Sequence, residues 1–173
     1  MVRFIEYLAL YILIVFLQMI LFDNIQITGY LNIIIYPLFL ILLPFNTNRI
    51  ILLFLGAVLG LTADIISCSF GVYSIVFIFL GFVRPFLLRL FVKTDLEDSP
   101  AMPVSGVMGA ASFLQYLFVI MFLTFVSVTF LERLTLDYLW VAMLKILVST
   151  VVSSLIIYFL QLPLNKLNKN TWI

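Results

Sequence analysis

Few residues in this chain could do chemistry, and they stand out against an apolar background. Gly56, Gly60, Asp64 and Ser67 follow one another at steps of four, four and three. They therefore share one helical face, and Ala63 lies beside them. A carboxylate in that position could handle a proton or a cation, cap a neighbouring turn, or hold a packed or partner-binding interface. Lys145, Ser149 and Ser153 recur every four residues as a second polar stripe. The ammonium of Lys145 could pair with Asp64, or its stem could carry it outward to the membrane interface. Arg84, directly before Pro85, could meet Glu6 or, with Arg89, reach phosphates of the inner leaflet. Asp95, Glu97 and Asp98 crowd one connection without supporting ligand types and are read as a solvated loop rather than a metal cluster. There is no His, and Cys68 is the single Cys, so His- or thiolate-based metal sites and an internal disulfide are excluded. The usual general base is missing too, and no nucleotide loop, zinc signature or nucleophile triad is present. No catalytic residue, cofactor or metal is expected. Gly56, Gly60, Asp64, Gly71, Arg84, Lys145 and Ser149 are instead the expected helix-packing or partner-binding positions.

The elements that must position these residues follow from composition. Of 173 residues, 65% are hydrophobic and 10% charged. A soluble domain carries about 45–50% apolar and about 25% charged residues, so this is the composition of an integral membrane protein. The length holds about six spans of roughly 20 residues, with nothing left for a domain outside the bilayer. A net charge of +1 without a basic cluster argues against nucleic acid as a partner. The expected fold is a single all-α transmembrane domain over residues 1–173, a six-helix bundle.

Apolar runs predict spans at residues 4–22, 30–43, 50–67, 71–91, 104–131 and 138–160. The first has no small-residue cleavage pattern after it and is read as an uncleaved helix. The second is short and interrupted by Pro37, so it either re-enters or crosses with a kink. The fifth offers Ser105, Gly109, Ser112 and Tyr116 as a small-residue packing face. With six crossings and a cytoplasmic amino terminus, Arg3, Arg49, Arg84, Arg89, Lys93, Lys166 and Lys169 fall inside and only Arg133 outside. That bias selects six crossings with both termini cytoplasmic. Asp64 and Lys145 then lie at similar depths toward the outer side. The expectation is that the stripe of the sixth helix faces the glycine groove of the third.

Gly56-xxx-Gly60-Leu61-xx-Asp64, a short loop and Gly71 resemble the motif region of the MreD family, rod-shape-determining membrane proteins of bacteria. The six-span plan, the Leu21-Phe22 end of the first helix and the prolines of the second agree with this. The turn at Leu43 to Thr47 looks like family members from Bacteroidetes-type bacteria. The resemblance covers essentially the whole chain, although its motif is a few small residues and one Asp. It implies a fold similar to the substrate-binding subunits of energy-coupling-factor transporters, and the bacterial inner membrane as location. It also implies a non-enzymatic role in cell elongation: binding an MreC-like protein beside MreB, RodA and a penicillin-binding transpeptidase, among membrane lipids. A small-molecule-binding or transport subunit, with an outer pocket near Asp64 and Lys145, is the alternative.

Overall fold

The computed structural model describes residues 2–22, 33–92, 101–132 and 139–170, and its regular structure there is helical throughout. Helix α1 (Val2–Leu17) continues into a π-helical turn, Gln18–Phe22. Helix α2 is short, Pro37–Leu42. Then come α3 (Arg49–Ser67), α4 (Val72–Phe91), the single turn α5 (Ser105–Met108), α6 (Ala110–Glu132) and α7 (Leu139–Asn170). Helices α3, α4, α6 and the 142–163 stretch of α7 are each long and apolar enough to cross a membrane. Large apolar side chains such as Phe54, Ile65, Phe130 and Phe159 are exposed on them, as a lipid-facing surface requires.

Local chemistry sets the boundaries. Asn48 caps α3 through its side-chain oxygen, which accepts the Ile50 N–H at 3.1 Å. The helix ends at Cys68 in the left-handed region (φ 51°), and Gly71 (φ 84°) turns the chain straight into α4. The fifth span, expected as one helix, is broken at Gly109, whose φ of 88° interrupts it between α5 and α6. Helix α7 continues past the expected end at residue 160 and through Pro163.

Helix α3 packs most extensively on α4, and α6 bridges α4 to α7. The second segment departs most from expectation. Ile33–Ile35 is non-helical, α2 spans only six residues, and every residue from Ile33 to Leu43 is buried. This segment forms the centre of the molecule, contacted by α1, α3, α4 and α6. Backbone without helical hydrogen bonds survives at such depth only when protein side chains satisfy it. Its start meets Gln18 near the carboxyl end of α1, and its end meets Arg84. Tyr11, earlier on α1, packs edge-on against Phe39 of α2 with ring centroids 5.2 Å apart. The segment therefore runs antiparallel to α1. The turn after α2 also meets the connection before α5, where the Phe45 N–H donates to the Ala101 carbonyl at 3.2 Å.

Candidate functional site

The α3–α4 hairpin gathers most of the motif. Glycine removes the Cβ that would separate two backbones, and here that space is filled by the partner helix. A Cβ on Gly56 would lie 2.5 Å from the Phe77 carbonyl oxygen, and one on Gly60 would lie 2.3 Å from Ser74 Cα. Gly81 returns the fit from α4, where a Cβ would lie 2.9 Å from the Leu52 carbonyl oxygen. Small residues allow this approach in lipid, where van der Waals contact drives association. Gly81 completes a seam of which the sequence pattern marked only the α3 half.

Asp64 sits at the end of the seam, 7% exposed. One carboxylate oxygen accepts the Tyr73 N–H at 2.9 Å and the Ser69 hydroxyl at 2.5 Å. The other accepts the Ser74 N–H at 2.9 Å and the Ser74 hydroxyl at 2.5 Å. The N-cap of α4 is Gly71, which has no side-chain acceptor. The first turn of α4 therefore borrows its cap from the preceding helix, and a negative charge there also suits the positive end of the helix dipole. Four donors converging on one carboxylate explain how it is held with so little exposure, since a buried charge is costly unless it is hydrogen-bonded.

Two expectations about this region are overturned. The glycine groove faces α4, not the stripe of the sixth helix, so Asp64 and Lys145 belong to different helix pairs. Ser149 and Ser153 are buried on α7, which packs against α6. Half-buried Lys145 shares with Glu132, Thr129 and Ser149 a recess of about 30 Å³ between α6 and α7. Arg84 does not reach lipid phosphate either: it is 1% exposed. Its Nη2 donates to the Leu43 carbonyl and lies 3.4 and 3.5 Å from the Ile41 and Pro44 carbonyls. The guanidinium thus closes the carboxyl end of α2, where Pro44 leaves carbonyls without helical donors. Its Nε and Nη1, and the Tyr116 hydroxyl, have no hydrogen-bond partner among the described residues. The side chain of Glu6 and residues Asp95, Glu97 and Asp98 lie outside the described residues.

Two glutamines complete the polar framework and had no spacing to announce them. Gln18, 2% exposed, donates from Nε2 to the Ile33 carbonyl at 3.0 Å and accepts the Ile35 N–H at 2.7 Å. This amide thus satisfies both a carbonyl and an N–H of non-helical backbone. Gln161, fully buried, accepts the Ser105 N–H at 3.1 Å and donates to the Ser105 hydroxyl at 2.8 Å, tying α7 to α5. No family model, curated protein or solved structure matches this chain. Its own geometry must therefore carry the functional reading: Asp64, Arg84, Gln18 and Gln161 satisfy backbone groups of neighbouring segments and join them.

Proposed function

We propose that this chain is a non-enzymatic scaffold of the bacterial cell-elongation machinery, of the MreD type. It would sit in the inner membrane with six crossings and both termini cytoplasmic, and bind an MreC-like protein. MreB, RodA and a penicillin-binding transpeptidase would belong to the same assembly. The observation that carries this reading is the use made of the motif. Gly56, Gly60, Asp64 and Gly71 build one rigid hairpin, and all four donors around Asp64 come from the turn and helix that follow it. A carboxylate so occupied is a joint rather than a reagent. The antiparallel course of the second segment against α1 supports its counting as a crossing with a broken helix.

The test is copurification of the tagged chain with MreC-like and RodA-like proteins. It is paired with photo-crosslinkers at the exposed positions Leu61 and Ile65 on α3 and Leu155 on α7. A specific crosslink to the MreC-like protein supports the proposal. Stable isolation without either partner, and no crosslink from any of these faces, rejects it. The transport-subunit alternative called for an outer pocket near Asp64 and Lys145; the Asp64 carboxylate is instead occupied by donors of the α3–α4 hairpin, while Lys145 lines a recess between α6 and α7.

A further inference from the structure

The turn that joins α3 to α4 directs its polar groups inward. The Cys68 and Ser69 N–H groups both donate to the Asp64 carbonyl, the second at 3.0 Å. The Gly71 N–H donates to the Ser69 carbonyl at 2.9 Å, and the Tyr73 and Ser74 N–H groups go to the Asp64 carboxylate. The Ser69 and Ser74 hydroxyls end on that same carboxylate. No charged residue stands between Asp64 and Arg84. At the tip of this turn Phe70 is 103% exposed, so its ring is held against nothing among the described residues. The apolar surface of the hairpin leads up to it, with Ile65 76% exposed on α3 and Ile75 58% on α4. The two helices hold 19 and 20 residues. At about 1.5 Å per residue each spans about 30 Å, the thickness of a bilayer's hydrocarbon core. The turn therefore falls at the edge of that core.

We infer that Phe70 is a membrane-interface anchor, its ring seated among the glycerol and upper acyl groups of the leaflet at this end of the hairpin. A ring projecting into water leaves its whole apolar surface hydrated, whereas at this depth lipid covers it. Aromatic side chains gather at that level of a membrane. Non-helical backbone enters such a layer at low cost only where its polar groups are satisfied within the protein. The carbonyl and carboxylate of Asp64 do this for Cys68, Ser69, Tyr73 and Ser74. A protein partner arriving through water needs a polar rim around an apolar centre, and here those polar groups are turned onto Asp64. The anchor is independent of the scaffold reading, because it rests on the turn and on the length of the two helices.

The test puts a fluorophore at the tip, with Phe70→Trp in a full chain whose own tryptophans are removed by Trp140→Phe and Trp172→Phe. The purified protein is reconstituted in phosphatidylcholine vesicles that carry bromine at defined acyl positions. Blue-shifted emission is expected, quenched most by the bromines nearest the ester end and little by aqueous iodide. Emission typical of a hydrated indole, quenched by iodide and by no brominated lipid, overturns the anchor. Strongest quenching by bromines near the chain ends overturns it as well, since the ring would then lie in the hydrocarbon core. Iodide quenching that disappears when an MreC-like protein is added replaces the lipid with a protein as the occupant. A second readout uses the exposed Cys68 on the same turn. Phe70→Asp is expected to raise severalfold the rate at which an impermeant maleimide modifies Cys68 in these vesicles, while the apolar Phe70→Leu leaves that rate as it is. An equal rise in both variants, or no change in either, overturns the anchor. Failure of this experiment leaves the scaffold reading intact, since that rests on partner capture.

Discussion

Asp64 acts on α4 from outside α4. Removing its carboxylate leaves the Tyr73 and Ser74 amides without acceptors in a region shielded from water. Asp64→Ala is therefore expected to destabilise the protein by about 2 kcal/mol or more, since each buried orphan donor costs about 1–3 kcal/mol. Asp64→Asn keeps one acceptor and is expected to lose about half as much, read as thermal unfolding in detergent micelles. Equal and negligible losses for the two would show that the cap is dispensable. The double exchange Asp64→Lys with Lys145→Asp is expected to rescue nothing, because the two residues serve different helix pairs. That Asp64 turns toward protein was legible from Gly56, Gly60 and the four-residue step, but the helix it faces was not: the expected stripe of the sixth helix gives way to α4. Its partners were not legible either, because they depend on how tightly the chain turns between Cys68 and Gly71. The one available signal was chemical: Gly71 offers no capping oxygen, while serines stand at 69 and 74.

At the scale of the element, the α3–α4 hairpin explains which glycines are needed and why. A Cβ at Gly60 would meet Ser74 backbone at under 3 Å, and backbone cannot rotate away as a side chain can. Gly60→Ala is expected to cost at least as much as ordinary overpacking, about 1–3 kcal/mol, by prying the two helices apart. Gly71→Ala meets nothing within 4 Å and bears only the cost of its left-handed backbone, about 1–2 kcal/mol. A shortened distance distribution between spin labels on α3 and α4 in Gly60→Ala would contradict this account, whereas a lengthened one with Gly71→Ala unchanged would support it. Apolar runs located α3 and α4 to within a residue at each end, because long lipid-facing helices are dictated by composition. The second segment was harder. Ile33–Ile35 reads as helix by hydrophobicity alone, yet it is non-helical and its backbone pairs with the amide of Gln18, a contact that no local pattern encodes. Gly109 is the intermediate case, read as a packing residue and found to be the breakpoint between α5 and α6.

For the whole molecule, the single cysteine offers a direct test of sidedness. Cys68 is exposed and lies at the end of α3 away from Arg49. In the proposed orientation it faces the periplasm, so an impermeant maleimide is expected to label it in intact spheroplasts. Labelling only after the membrane is opened would invert the arrangement and remove the charge argument with it. Lys/Arg placement is the ground on which that orientation is proposed, whereas the central position of the second segment followed only from Gln18 and Arg84, which lie 66 residues apart in sequence. That separation bears on how the protein is made. The segment between them emerges from the ribosome after Gln18 but well before Arg84, so its carboxyl end waits for a donor that has yet to be synthesised. The burial of residues 33–43 is thus completed late, once α4 arrives to pack on them and Arg84 reaches the Leu43 carbonyl.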